Sequence, residues 1–276
     1  MYATVKNLAD AHELACATIM NSHREISIQT HIDKEEFTLE YSTPMYITVL
    51  EPLAQPQISA GALFGKKMAE AYKKQFLTLT PPRADGLQAV YTYYNRLKDY
   101  PIISDSCPPG CKPNEDDCRF CLDQMMTNGD GNGKGYDQIL ATVAKLAADP
   151  NSRRGIMVTW NPSLDAESLE PPCMDLVQFV IREGRLHMRV VFRSQDMLSA
   201  LGENLIGCTA LFEHILNLIK SHPDYHQDCP LEMGHLTLIS LIPHIYKKRD
   251  SQEFGMMRQQ IHTRKMQNNW HFQYVI

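Results

Sequence analysis

The sequence predicts an α+β fold in one layered domain, and three observations carry that reading. Predicted strands and helices are mixed along the chain. Two of the strands, 175–182 and 186–193, meet at Glu183-Gly184, which is a hairpin signal. No internal repeat and no linker divides residues 1–276 into separable units, although a stretch at about 101–136 departs in composition.

Residues 5–20 set Val5, Leu8, Ala11, Leu14 and Ala15 at helical spacing. Runs rich in β-forming residues follow around 25–29 and 46–50, and Glu51-Pro52 closes the second. Residues 62–77 read as an amphipathic helix that must end before Pro81-Pro82. The stretch 101–136 is rich in Cys, Pro, Gly, Asn and Asp, and is long for a loop. Such an excursion is expected to be functional or to be held by something. Residues 137–149 bring Ile139, Leu140, Val143, Leu146 and Ala147 onto one helical face, with Pro150 as the stop. A short apolar strand is predicted at 155–160, then the hairpin, then a long apolar helix over 204–220. Residues 236–246 are apolar and β-branched enough for one buried strand.

With 43% apolar and 21% charged residues, a chain of this length can bury a substantial core. Its 27 basic and 32 acidic residues leave a net charge of −5, where a nucleic-acid binder would carry a basic surplus. No stretch approaches the ~18 consecutive apolar residues of a membrane span. Lys6, Asp10, His12 and Glu13 interrupt the start of the chain, so no signal peptide is expected there. The expected setting is cytoplasmic, with neither membrane nor nucleic acid as partner and with reduced cysteines.

Three local features could carry chemistry. Arg153-Arg154 follows a helix end and enters a strand; paired guanidinium forks suit a phosphate, although a lone pair of arginines is more often a solvated strand edge. Pro171-Pro172-Cys173 presents one thiol on a stiffened backbone, a candidate nucleophile where a single cysteine is more often a buried packing residue. Arg193-Ser194 closes a strand with one charged and one neutral donor, and Asp196 and Asn204 follow. The Asn204 amide matches the N3–H and O4 edge of uracil, while taken alone it reads as a helix N-cap.

In this order, and followed by His244-x-Tyr246, these motifs resemble the thymidylate synthase family. The spacing from Asp196 to Asn204, the lead-in through 137–154 and the run Tyr91–Leu97 are most similar to archaeal-type members, a branch that adjoins the pyrimidine nucleotide hydroxymethylases. The likeness covers about residues 90–250. It implies a mixed sheet covered by helices, with one sheet face used for dimerisation. It implies that Cys173 adds to C6 of dUMP, activating C5 toward a one-carbon unit from 5,10-methylenetetrahydrofolate or a methanopterin analogue. Arg193 and Ser194 would bind the 5′-phosphate, together with Arg153 and Arg154 donated across the interface of a homodimer. Asp196 and Asn204 would hold the pyrimidine, His244 and Tyr246 the deoxyribose 3′-hydroxyl, and Tyr93 would stand near the thiol. Glu70 is the candidate for the family's catalytic glutamate. Met174, Tyr94 and Ala200 depart from the family pattern, where histidine, glycine and glycine are usual. The closing Val275-Ile276 resembles the family's mobile C-terminal lid.

The excursion holds Cys107, Cys111, Cys118 and Cys121, four thiols within fifteen residues and outside the family pattern. In a reducing compartment they suit a structural tetrahedral zinc; an iron–sulfur cluster or disulfides are the alternatives. Asn128-x-Asp130-x-Asn132-Gly133 opens like a calcium loop, but Ile139 stands where the bidentate glutamate belongs, so a glycine-rich turn is expected. Two rival functions remain. A hydroxymethylase shares the adduct but traps it with water instead of hydride, and a zinc-dependent binding module would use the cysteine cluster alone.

Overall fold

The computed structural model describes residues 1–28, 36–79, 92–101, 135–168, 171–226, 230–270 and 273–275. The chain opens with a short strand, β1 (Tyr2–Val5), that the sequence reading missed, before α1 (Leu8–Asn21). Asn7 caps α1 by accepting from the Asp10 N–H at 3.0 Å. Then come β2 (Arg24–Ile28), β3 (Glu36–Glu40), β4 (Met45–Val49), α2 (Lys66–Phe76) and α3 (Tyr93–Lys98). The middle of the chain gives α4 (Gln138–Ala148), β5 (Gly155–Val158), α5 (Pro162–Asp165), β6 (Met174–Arg182) and β7 (Arg185–Phe192). It closes with β8 (Gln195–Asp196), α6 (Leu201–Lys220), β9 (Glu232–Ser240), β10 (Pro243–Tyr246), α7 (Ser251–Met266) and β11 (Gln273–Val275).

Among the described residues a seven-stranded mixed sheet runs β11-β1-β4-β9-β7-β6-β5, and a four-stranded sheet runs β2-β3-β10-β8. The hairpin β6–β7 forms as expected, with Glu183 (φ 52°) and Gly184 (φ 68°) both in the left-handed region that a tight two-residue turn requires. Alternate residues of the large sheet point inward, among them Val177, Phe179, Met188, Val190, Phe192, Leu236 and Leu238, all fully buried. Phe212 of α6 meets Phe179 edge-on at 5.8 Å. Each such ring contributes about 1.5–3 kcal/mol by leaving water. The opposite face is partly exposed and polar: Thr48 bonds Thr237 at 3.1 Å, His187 meets His235 edge-on at 5.1 Å, and Arg189 reaches Gln178 at 3.1 Å.

Three boundaries differ from expectation. The helix predicted at 62–77 starts at Lys66, capped by Gly65, and the one predicted at 204–220 starts at Leu201. The strand predicted over 236–246 is two strands in different sheets. Pro243 has no N–H to donate, so the ladder stops and the chain crosses from the large sheet to the small one. That crossing brings β10 beside β8, pairing His244 with Asp196. The closing residues 273–275 pair antiparallel with β1, at the opposite edge of the sheet from β5.

Helix α6 carries glycine where its neighbours come closest. A Cβ at Gly207 would lie 2.3 Å from the Phe76 ring of α2, and one at Gly202 would lie 2.5 Å from the Phe64 ring.

Candidate active site

Cys173 stands just before β6, at the end of the large sheet. Its carbonyl accepts the Arg193 N–H at 2.9 Å, which ties it to the end of β7. The Arg193 guanidinium is fixed by three carbonyl and side-chain contacts: Nε to the Pro172 oxygen at 2.8 Å, Nη2 to the Pro171 oxygen at 3.0 Å and Nη1 to Ser194 Oγ at 3.3 Å. The same Nη2 lies 3.7 Å from Cys173 Sγ, and Ser194 Oγ lies 3.8 Å from it. Trp160 lies under the guanidinium at 5.9 Å. The two prolines thus do more than stiffen the chain, because their carbonyls orient the arginine. Cys173 is partly exposed, whereas Cys16 and Cys208 are buried. Burial pushes the Cys208 thiol up to about 12.

Asp175 follows within the irregular pairing of β6 with β7. Burial raises its pKa, with the Arg193 charge working against the shift, and its Oδ1 is buried without a hydrogen bond among the described residues. Met174, where a histidine is usual in the family, points into the core and is fully buried. It therefore offers nothing to the thiol.

Asp196 is engaged on every side. Oδ1 accepts the N–H groups of Leu198 at 3.0 Å and Ser199 at 3.2 Å, while Oδ2 takes the Ser199 hydroxyl and a short ion pair from Arg249. Arg249 also grips Asp250 through Nε at 2.7 Å and lies flat over Tyr246, 3.8 Å from the ring centroid. Burial disfavours its charge, but hydrogen bonding to Asp250 and the Asp196 charge outweigh that and raise its pKa. Glu36 of β3 holds the turn that carries it, accepting the N–H groups of Lys248 at 3.1 Å and Arg249 at 3.2 Å. His244 is buried, with Nδ1 at 3.1 Å from the Ile242 oxygen, and meets Tyr246 edge-on at 5.1 Å.

Asn204 is not a cap. It lies one turn inside α6, and the Tyr72 hydroxyl donates to its Oδ1 at 3.2 Å. It lines a cavity of about 300 Å³ with Tyr72, Phe76, Tyr93, Ala200 and Glu203. Phe76 and Tyr93 pack at 6.0 Å, and Tyr93 reaches edge-on to Phe192 at 6.4 Å, beside the end of β7.

Two groups of expected residues stand apart. Glu70 is corrected: it lies on the exposed side of α2, paired with Lys73 at 3.1 Å, and does not line the cavity. The helical turn that sends Tyr72 inward sends Glu70 to solvent. Arg153 and Arg154 are exposed, and neither guanidinium has a partner among the described residues. Cys107, Cys111, Cys118 and Cys121 lie outside the described residues. Sequence reading missed Arg249, Glu203, Tyr72 and Trp160. The lining of the cavity comes from α2, α3 and α6, which no linear spacing relates.

The α+β fold thus presents one partly exposed thiol against a fixed arginine and serine. The family profile described as thymidylate synthase matches residues 64–271, and the chain belongs to that family. A Methanothermobacter thermautotrophicus protein is 28% identical over 257 residues, covering 88% of this chain and 92% of its own. A Methanocaldococcus jannaschii protein is 37% identical over 193 residues, covering 67% and 66%. One from Methanothermobacter marburgensis is 30% identical over 191 residues, covering 69% and 64%. Each is provisionally named a thymidylate synthase. The chain spans about half of a Methanosarcina barkeri relative, 36% identical over 133 residues or 48% of this chain. No helix among the described residues is long and apolar enough to cross a membrane.

Proposed function

We propose that this chain converts dUMP to dTMP by a Cys173 adduct at pyrimidine C6. The observation that carries the reading is the approach of Arg193 Nη2 and Ser194 Oγ to one partly exposed sulfur, at 3.7 and 3.8 Å. A 5′-phosphate seated on those two donors holds the pyrimidine over the sulfur. Sulfur adds at C6, the ring electrons shift to O4, and C5 becomes the carbon nucleophile. Asn204 supplies the uracil edge with a donor and an acceptor, and Tyr72 fixes the amide through its oxygen. His244 and Tyr246 take the sugar hydroxyl. Arg249 holds Asp196 beside them, so that Asp196 acts on the ring through the turn it organises.

The aromatic walls of the 300 Å³ cavity suit a planar pterin ring, with Tyr72 and Tyr93 to stack it. A methylene-tetrahydropterin, either 5,10-methylenetetrahydrofolate or a methanopterin analogue, supplies the one-carbon unit and the closing hydride when bound. Incubation with dUMP and each carrier in turn, with mass spectrometry of the product, tests the reading. The expected product is dTMP; a product one oxygen heavier identifies the hydroxymethylase chemistry instead, and unreacted dUMP with both carriers overturns the assignment.

The exposed Arg153 and Arg154, and the polar, partly exposed sheet face, support a homodimer in which each chain lends these arginines to its partner's phosphate. Light scattering reads the assembly. Loss of dUMP affinity in Arg153→Ala and Arg154→Ala is expected. The four clustered cysteines are proposed to hold one structural zinc, so metal analysis is expected to give about one zinc per chain.

A further inference from the structure

Glu203 and Asn204 are neighbours on α6 and line the same cavity, but their surroundings differ. Asn204 has its oxygen taken by Tyr72. Glu203 is half-buried, and its carboxyl has no hydrogen bond or ion pair among the described residues. Burial alone raises its pKa. The ordinary structural task of a glutamate at the third position of a helix is to reach back and bond the N-cap N–H. Glu203 holds that position behind the cap Ala200 and makes no such bond. No Lys, Arg or His among the described residues lines the cavity, so nothing there compensates a carboxylate. The titratable groups facing it are Tyr72 from α2, Tyr93 and Tyr94 from α3, and Glu253 from α7, whose own carboxyl is pushed up in part by the Glu203 charge.

We propose that Glu203 is the carboxylic acid that protonates the pyrimidine O4 as Cys173 adds to C6, a reading that rests on the nucleotide assignment above. The proton leaves the Glu203 oxygen and bonds O4 as the sulfur–C6 bond forms and the ring electrons reach that oxygen. When C5 then bonds the one-carbon unit, the C4 carbonyl re-forms and the O4 proton returns to the carboxylate; the C5 hydrogen leaves afterwards as a separate proton to water, so the acid is regenerated. Adjacency to Asn204 gives the ring carbonyl an amide and an acid from one helical turn.

The test uses dUMP tritiated at C5, each of the two pterin carriers, and the full-length Glu203→Gln and Glu203→Asp variants. Gln keeps the shape and the hydrogen bonds but cannot transfer a proton. It is expected to lose about 100-fold or more in kcat for tritium release while dUMP affinity stays within about threefold. Because the acid must be protonated to act, wild-type kcat should fall as pH rises through the Glu203 pKa. That limb should vanish in the Gln variant and persist in the slower Asp variant, a response that a packing role for Glu203 would not produce. Tritium release by wild type and equal release by the Gln variant, with the same pH profile, would overturn the Glu203 assignment alone. No release by wild type with either carrier overturns the nucleotide reading and this one with it.

Discussion

Arg249 lies 3.8 Å above the ring of Tyr246 while its guanidinium grips the Asp196 carboxylate, so one side chain couples the β8 turn to the β10 end. Its side chain is half exposed, yet the Asp196 side chain it neutralises is only 9% exposed. Arg249→Met leaves that carboxylate with backbone and serine donors but no cation. Discounted for solvent on the arginine side, the cost is expected at about 1–3 kcal/mol, read as a lower urea midpoint. Lysine should restore little, since it lacks the planar fork that serves Asp196, Asp250 and the ring together. A variant with wild-type stability would show the clamp to be idle.

The Arg96–Asp165 pair lies deeper. Its two bonds, at 2.7 and 3.0 Å, join α3 to α5, and the side chains are 10% and 3% exposed. Asp165→Ala removes the carboxylate from a buried guanidinium that keeps the Thr159 carbonyl at 3.2 Å, and is expected to cost about 3–5 kcal/mol. Double replacement by apolar residues of matching volume should recover much of that loss in chemical denaturation.

Thiol reactivity separates the three described cysteines. Peptide mapping after brief alkylation at neutral pH should find Cys173 modified well before Cys16 and Cys208, which are fully buried. Protection of Cys173 by dUMP is expected, and equal labelling of all three would contradict the exposed thiol. Cys208 also predicts an alkaline effect. Its folded pKa of about 12 lies above the value of 9.0 for an ordinary thiol, so the folded state retains a proton that the unfolded chain releases. The stability this contributes is complete below pH 9.0 and is lost as pH rises toward about 12, which alkaline denaturation curves can follow.

Cys173→Ala should keep dUMP affinity within about tenfold, since the phosphate and ring contacts remain, while hydrogen release from C5 stops. Asn204→Asp should move preference toward dCMP, because an acceptor carboxylate can face an exocyclic amine. Tyr72→Phe removes one hydrogen bond to Asn204 and is expected to raise KM for dUMP by about 3–10-fold with little change in kcat. Unaltered discrimination in Asn204→Asp would leave that residue a packing role only.

Much of this architecture was legible in the chain. The hairpin was written in Glu183-Gly184, and α4 in its apolar face. The thiol, arginine and serine were found because prolines and a strand end mark them. What stayed hidden has physical causes. Strand β3 is bracketed by Glu36 and Glu40, and Glu36 reads as a surface residue until its carboxylate is seen buried under the 247–249 turn. Helix α7 fully buries only Met257 and Ile261 of its apolar residues and adds a buried Glu253 between Gln252 and Phe254, so no apolar stripe announces it. Arg249 owes its place to Asp196, fifty-three residues earlier. Glu70 seemed eligible only because linear order cannot tell the wet side of an amphipathic helix from the side that faces a ligand.

The missing side chain at Gly207 governs more than local packing. With Phe76 pressed to where a methyl group would stand, Tyr72, four residues earlier on the same side of α2, is brought within reach of Asn204. Even alanine at 207 would act as a shim, levering α2 outward and widening the gap between Tyr72 and Asn204. The Tyr72–Asn204 contact is thus calibrated by a single absent carbon on the part of α6 that faces Phe76.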